Sequence, residues 1–277
     1  IERLIRYADG RQIVVPLSGG YDSRAIVTLL YRLDYPNLLT FSFGLPGNKE
    51  SAVSERVAQS LEIPWHFVEY SKKKWRQISK TRLLSEFQEF ASGLSSLPVV
   101  SDWLAVKEMN EQRVIHPDAI FVPGHAGDFI AGSHIPRAAS PLNPAVSDDL
   151  TKSLFAKHYS LAPMKLVSVH DEGFWRERIL RRAEMPHVVD GESYADSYEY
   201  WVWQERQAKY ICNSVRVYEF FGHDWWMPLW DRELVEFMEQ LPLTHRKDTA
   251  LWVEWVEELG VRSVGELAVK GNADKGL

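Results

Sequence analysis

The segment PLSGGYDS at residues 16–23 constrains the fold more than any other part of the sequence. It lies between a short apolar run, 13–15, and a stretch at 22–33 whose apolar residues recur at helical spacing. Ligands of α/β sheets bind at such a turn between a strand and the following helix. Two glycines let the backbone approach an anion, and the helix start offers unpaired N–H groups. The segment therefore predicts an α/β domain with an anion-binding loop after its first strand.

Strand-like and helix-like segments alternate through the first half of the chain. After the first strand and helix, we expect strands at 38–43, 65–69 and 119–122, with helices at 51–61, 72–91 and 103–112. Repeated β-α units of this length predict a doubly wound, mostly parallel sheet with helices on both faces.

The second half of the chain has a different pattern. Residues 136–146 are rich in proline and are interpreted as a loop or linker. Helices are predicted after it, at 148–158, 172–184, 193–221, 231–240 and 248–259. We therefore expect one domain over 1–277, with an α/β nucleotide-binding part at 1–135 and a mainly helical C-terminal part at 147–277.

Composition and charge exclude several classes of protein. The formal net charge of −6 argues against a general polyanion-binding surface, so no nucleic acid partner is expected. Cys212 is the only cysteine, which excludes a disulfide framework and a CxxC zinc site. No apolar run reaches membrane-spanning length and no signal peptide opens the chain, so we expect a cytoplasmic protein. Because the sequence starts at Ile1, we also expect it to be part of a longer protein.

Asp22 is an unusual residue in a phosphate-binding loop, because a carboxylate repels phosphate. A Mg²⁺ ion between the two resolves the conflict, since it takes oxygen ligands from both. The loop lacks the lysine of GxxxxGK[ST] and is not a Walker loop. A second acidic glycine turn, GHAGD at 124–128, follows the fourth predicted strand. If that strand neighbours the first, Asp128 shares the magnesium with Asp22. The alternative for both segments is an ordinary turn whose aspartate caps a helix.

These segments resemble the synthetase domain of the asparagine synthetase family, within the PP-loop group of ATP pyrophosphatases. LSGGYDS at 17–23 is similar to the family's LSGGxDS, FSFGLPG at 41–47 to its adenine-side strand and loop, and GHAGD to its GxGxD turn. MPLWDRELV at 227–235 is similar to its xPFLDxxLV segment, which narrows the resemblance to asparagine synthetase and its relatives, including β-lactam synthetases. The resemblance covers nearly the whole chain.

The resemblance implies ATP and Mg²⁺ as cofactors and a role for each matching residue. The pyrophosphate is expected on Ser18, Gly19, Gly20, Asp22 and Ser23, the adenine on backbone groups near Leu17, Phe43 and Gly124, and the magnesium on Asp22 and Asp128. The family also has a late lysine that contacts the phosphates. Lys270 is its best match, with Lys275 as the alternative.

The sequence departs from the family on the side that faces the second substrate. His125 replaces a glutamate that is often catalytic, and Asp224 and Trp226 replace the Glu and Arg of ExRxPFLD. We therefore expect an amide ligase that adenylylates a small carboxylate other than aspartate, such as a uronic acid of a surface polysaccharide. Its ammonia is expected from a glutaminase domain or subunit. The alternatives are a glutamine-hydrolysing asparagine synthase, a PP-loop enzyme that modifies tRNA and a non-enzymatic nucleotide-binding module.

Overall fold

The computed structural model describes residues 1–93, 95–137, 139, 147–159, 172–182, 188 and 190–261. They divide into two compact units. Unit 1 comprises residues 1–127, 209–231 and the described residues from 252, and unit 2 comprises the described residues of 128–208 together with 232–251. None of the described helices combines the length and apolar character needed to cross a membrane.

Unit 1 is built on a parallel sheet. Its strands are β1 (Ile13–Pro16), β2 (Leu38–Gly44), β3 (Trp65–Glu69), β4 (Ile120–Phe121) and β5 (Asp224–Trp225). They lie in the order β3-β2-β1-β4-β5, and every neighbouring pair is parallel. The doubly wound parallel sheet predicted from the sequence is confirmed, and so is the pairing of β1 with β4. The strand order changes direction at β1, which is where α/β sheets bind their ligands.

The first helices of unit 1 alternate with these strands. They are α1 (Glu2–Ala8), α2 (Tyr21–Arg32), α3 (Lys49–Ser60), α4 (Lys72–Ile78), α5 (Arg82–Ser92) and α6 (Trp103–Glu111). The single helix expected at 72–91 is wrong, because the chain breaks between α4 and α5. The break follows from Thr81, whose hydroxyl accepts a hydrogen bond from the N–H of Leu84 and so caps a new helix.

The core of unit 1 packs aromatic side chains against the sheet. Phe121 of β4 stacks on Tyr218, with ring centroids 4.3 Å apart and planes 10° from parallel. The Tyr218 hydroxyl donates a 2.8 Å hydrogen bond to Asp102, so this buried polar group is paired. Trp103 is also fully buried, as expected of aromatic residues that form a core rather than a binding surface.

The rest of the chain is mainly helical. Its elements are α7 (Gly127–Ile130), α8 (Ser147–His158), α9 (Glu172–Arg182), α10 (Gly191–Val202), a π-helix (Trp203–Ile211), α11 (Cys212–Ser214), α12 (Arg216–Phe220), a 3₁₀ turn (Pro228–Trp230), α13 (Arg232–Glu239), α14 (Leu243–Arg246), a second 3₁₀ turn (Lys247–Thr249), α15 (Ala250–Val256) and a second π-helix (Glu257–Val261). The continuous helix expected at 193–221 is therefore interrupted by π-helical backbone.

A buried arginine at the end of α14 bonds to acidic residues of α10 within unit 2. The Arg246 guanidinium donates 2.6 Å to Glu199 and also bonds to Asp196, with Glu192 at 3.5 Å. The Arg246 side chain is 6% exposed and that of Glu199 9% exposed, so both charges depend on each other for compensation. The pair ties α14 to α10.

We expect Arg246→Met to lower the free energy of unfolding by about 3–5 kcal/mol, because it leaves Glu199 buried without its cation. Arg232→Met is the matched control within unit 2. Arg232 is 88% exposed and, in the part of the chain that the structure describes, pairs with Glu236 along its own helix; such a pair contributes about 0.5 kcal/mol at most. Urea unfolding followed by circular dichroism measures both variants. Equal losses in the two would contradict the structural role of Arg246.

Candidate nucleotide-binding site

The SGGYDS loop connects β1 to α2 at the switch point of the sheet. Ser18 and Ser23 close the loop: the N–H of Ser18 donates to the Ser23 hydroxyl at 3.1 Å, and the two hydroxyl oxygens lie 3.3 Å apart. The Ser18 hydroxyl also accepts from the N–H of Gly20 at 3.2 Å. Gly20 is the N-cap of α2, and no side chain caps this helix. The first turn of α2 therefore presents N–H groups of the kind that bind anions.

The two loop glycines leave room beside the backbone. A Cβ atom added to Gly19 would meet nothing closer than 3.6 Å, and one on Gly20 would meet only the Ser18 hydroxyl, at 3.3 Å. Gly20 has φ −79°, a value that any residue adopts. These glycines therefore leave open space beside the main chain and do not form an unusual turn.

The GHAGD turn packs directly on the start of α2. A Cβ atom on Gly124 would lie 2.7 Å from the backbone nitrogen of Ser23, and one on Gly127 would collide with the Asp22 carboxylate. Neither position has room for a Cβ atom, because Gly124 faces the backbone of Ser23 and Gly127 faces the carboxylate of Asp22. Between them, Ala126 has φ 70°, in the left-handed region that residues with a side chain rarely adopt. Backbone strain of this kind collects at functional sites.

Asp22 is held in place by a residue far along the sequence. The indole N–H of Trp252 in α15 donates a 2.8 Å hydrogen bond to one carboxylate oxygen of Asp22. Tyr21, the preceding residue, donates to Glu257 at 3.2 Å. The last described segment of unit 1 therefore lies against the start of α2. Sequence reasoning missed Trp252, because nothing local to it marks a partner 230 residues away.

Arg24 stabilises the SGGYDS loop through a hydrogen bond to its backbone. It is 2% exposed and donates a 2.8 Å hydrogen bond to the carbonyl of Gly19. Its guanidinium also lies 5.1 Å from the centre of the Tyr21 ring, and burial lowers its pKa. Arg24 was not singled out from the sequence, although its place one turn into α2 is a signal that could have found it.

Leu17 and Phe43, two of the residues expected near the adenine, lie at the carboxyl ends of β1 and β2. The N–H of Leu17 donates to Phe41, and its carbonyl accepts from the hydroxyls of Ser42 and Ser54. Phe43 is paired along β2 with Val68, and its ring stacks on Tyr70 at 5.0 Å. The backbone N–H and carbonyl of Leu17 therefore both have partners within the protein.

His125 lies in the GHAGD turn and contacts Ser214 of α11. The Ser214 oxygen is 3.0 Å from Nδ1 of His125 and donates its own proton to the carbonyl of Ile211 at 2.5 Å. A hydroxyl has one proton, so Nδ1 carries the hydrogen of this contact and Nε2 keeps a lone pair. Burial lowers the pKa of His125, which favours the neutral ring despite the opposing charge of Asp102. The ring is thus arranged as a proton acceptor at Nε2.

The remaining predicted site residues are placed as follows. Asp128 follows Gly127 directly, has an exposed side chain and belongs to unit 2, where its carbonyl accepts from the N–H and hydroxyl of Ser133. Lys270 and Lys275 lie outside the described residues. Lys247, another lysine late in the chain, donates to the carbonyls of Arg137 and Ala139 within unit 2.

Asp224 and Trp226 are both engaged by the first elements of unit 1. The Asp224 carboxylate accepts from Arg11 at 2.7 Å and from the Tyr7 hydroxyl at 2.9 Å. The Trp226 ring packs on Tyr7, with centroids 5.1 Å apart. Both side chains therefore contact Tyr7 of α1.

A parallel sheet with a glycine-rich SGGYDS loop at its switch point defines the PP-loop class of α/β nucleotide-binding proteins. A family model described as asparagine synthase matches residues 5–251, which is most of the chain. The protein therefore belongs to the asparagine synthase family. It is also 36% identical over 74 residues to a tRNA(Ile)-lysidine synthase of Parabacteroides distasonis. That match covers 25% of this chain and 17% of the relative's length, so it supports the wider PP-loop group.

We expect Gly124→Ala to lower the free energy of unfolding by about 1–3 kcal/mol, because the new methyl group meets the backbone of Ser23 rather than a flexible side chain. The displaced first turn of α2 also weakens ATP binding. Gly19→Ala is the control for stability, since its methyl group makes only ordinary contacts. Urea unfolding and calorimetric titration with ATP measure the two effects. A Gly124→Ala variant as stable as Gly19→Ala would disprove the close approach.

Proposed function

We propose that this protein is an ATP-dependent ligase that activates a carboxylate as its acyl-adenylate and transfers ammonia to it. The observation that carries the proposal is the SGGYDS loop, without a Walker lysine, at the switch point of the sheet in a chain of the asparagine synthase family. A loop that binds pyrophosphate as a leaving group requires glycines that leave the backbone accessible, hydroxyl donors and unpaired N–H groups at a helix start. The SGGYDS loop meets each of these needs.

The proposed reaction has two steps. A carboxylate oxygen of the acceptor attacks the α-phosphorus of ATP, the bond from that phosphorus to the bridging oxygen breaks, and pyrophosphate leaves. Ammonia then attacks the activated carbonyl carbon, AMP leaves and a proton is lost from nitrogen. Ser18, Gly19, Gly20 and Ser23 hold the departing pyrophosphate in this scheme, where charge develops in the transition state. A glutaminase domain or subunit is the proposed source of ammonia.

Asp22 has the chemistry that a magnesium ion requires beside the phosphates. Its carboxylate is confined by the backbone of Gly127 and oriented by Trp252, which is how proteins fix a metal-binding side chain. When bound, Mg²⁺ neutralises charge on the phosphate oxygens. Asp128 remains the second ligand in the proposal. Lys270 remains the proposed partner of the pyrophosphate, with Lys275 as its alternative.

His125 is proposed to act on the ammonia half of the reaction. Its Nε2 lone pair accepts a proton from the attacking amine or orients a substrate hydroxyl. A glutamate at this position carries a negative charge, whereas the neutral imidazole of His125 does not. Asp224 and Trp226, which replace the family's Glu and Arg, contact α1 and the residues after it. The neutral ring of His125 and these two replacements together favour an acceptor other than aspartate. We propose a uronic acid, free or nucleotide-linked, as acceptor.

A second candidate function is tRNA modification by a PP-loop enzyme. The match to a tRNA(Ile)-lysidine synthase favours it, whereas the net charge of −6 argues against a polyanion partner. A gel-shift titration with tRNA separates the two candidates. Retarded migration at micromolar protein would favour the tRNA enzyme.

We expect the protein to convert ATP to AMP and pyrophosphate when an acceptor and ammonia are present. Asp22→Asn should reduce turnover by roughly a hundredfold or more, because it removes a charged metal ligand. It should keep the fold, since the amide oxygen still accepts from Trp252. Chromatography of the nucleotides, with glucuronate, its nucleotide-linked form and aspartate as alternative acceptors, measures the products. ADP as the main product would disprove the proposal, and fastest turnover with aspartate would reassign the acceptor.

We expect the acidic limb of the pH–rate profile to lie below pH 6.5, because burial lowers the pKa of His125 and the base is lost only when the ring is protonated. His125→Asn should abolish this limb. Ser214→Ala should lower turnover by about tenfold, since Nδ1–H loses its acceptor and the ring its orientation. Ser214→Thr keeps a hydroxyl and should restore most of the rate. An unchanged profile in His125→Asn would remove His125 from the chemistry.

A further inference from the structure

Two cations of unit 2 converge on one buried histidine. His134 is 7% exposed, and its two ring nitrogens contact different side chains. Nη1 of Arg206 lies 3.0 Å from Nε2, and the ammonium of Lys157 lies 3.4 Å from Nδ1 and 3.5 Å from the backbone carbonyl of the same histidine. Among the described residues, neither cation forms an ion pair with a carboxylate at hydrogen-bonding distance.

This cluster contains more hydrogen-bond donors than acceptors. Arg206 and Lys157 are donors without any acceptor atom, and a neutral imidazole offers one lone pair. Arg206 makes the shorter contact, so Nε2 is the acceptor and Nδ1 carries the proton. That N–H then faces the Lys157 ammonium. Burial and the two nearby cations lower the pKa of His134 to about 3, so the ring is neutral near pH 7 and keeps a single acceptor nitrogen.

The backbone around Arg206 supports a functional reading of the cluster. Arg206 belongs to the π-helix Trp203–Ile211, and such stretches occur frequently at functional sites. Gln207, the next residue, is 1% exposed, and neither its amide nitrogen nor its amide oxygen has a hydrogen-bond partner. Unpaired buried polar groups are rare enough to require an explanation, and a bound ligand is one such explanation.

The cluster is also related to Asp128, the first residue of unit 2. His134 lies six residues after Asp128, and the intervening Ser133 bonds to the Asp128 carbonyl through both its N–H and its hydroxyl. The charge of Asp128 acts on Lys157, where it partly offsets the lowering of the pKa by burial and by Arg206. The surplus of donors therefore belongs to the same folded segment as the second proposed magnesium ligand.

We propose that Lys157, His134 and Arg206 form an anion-binding site that holds a carboxylate or phosphate group of the acceptor substrate. An oxyanion that lies to one side of Nδ1–H of His134 and the Lys157 ammonium accepts from both, and Arg206 adds a second positive charge. The identity of the occupant as the acceptor rests on the proposed function, whereas the site itself rests on the geometry of the cluster.

Calorimetric titration of the whole chain without ATP tests this site. The probes are D-glucuronate, glucose 6-phosphate and glucose, which share a sugar ring and differ in the anionic group. We expect at least one of the two anions to bind about tenfold or more tightly than glucose. Preference for glucuronate assigns the site to a carboxylate, and preference for glucose 6-phosphate assigns it to a phosphate.

Variants decide whether the cluster is responsible. Lys157→Met and Arg206→Gln should each weaken anion binding by about tenfold, while Arg206→Lys should retain part of it. Lys152→Met is the matched control, because Lys152 is an exposed lysine on the same helix, α8. Circular dichroism confirms that each variant is folded, and Lys157 is exposed enough for its replacement to be tolerated. Equal binding of glucose and both anions, or an equal loss in Lys152→Met, would overturn the proposal. Because ATP is absent, this result is independent of whether AMP is formed.

Discussion

The close approach of the GHAGD turn to the start of α2 is the contact on which the candidate site depends. Two glycines, Gly124 and Gly127, bring backbone against the first turn of the helix where a single methyl group would not fit. Parallel pairing of β1 with β4 places their carboxyl ends side by side and makes this contact possible. It confines the Asp22 carboxylate, and Trp252 then fixes its orientation. Helix start, loop and carboxylate are thereby set in position before any ligand binds, which is the preorganisation that catalysis by charge requires.

Two clusters within unit 2 have different kinds of charge balance. In unit 2, Arg246 is surrounded by carboxylates, so its charge is compensated and its role is structural. Lys157 and Arg206 instead share one neutral histidine. A cluster with more donors than acceptors adds little to stability, because polar groups that lack a partner cost free energy. Such an arrangement is better explained by a ligand that completes it.

The sequence predicted secondary structure best in segments where the pattern of nearby residues determines it. The strand, glycine loop and helix at 13–32 could be located from spacing alone, and β3 was predicted with the bounds it has, because apolar periodicity and turn residues are local signals. β5 was missed because its two residues, Asp224 and Trp225, form no apolar run. The contacts of Trp252 with Asp22, of Ser214 with His125 and of Arg206 with His134 join distant parts of the chain. Periodicity contains no information about such pairs, since the fold alone brings them together.

The central claim is that a carboxylate oxygen attacks the α-phosphorus of ATP held by the SGGYDS loop. Transfer of an oxygen isotope tests it most directly. The acceptor that supports turnover is labelled with ¹⁸O in its carboxylate, and the products are analysed by mass spectrometry after a single turnover. The account predicts one ¹⁸O atom in AMP and none in pyrophosphate, because the attacking oxygen stays on the α-phosphorus when the amide forms. Label in inorganic phosphate, or its absence from AMP, would contradict the account.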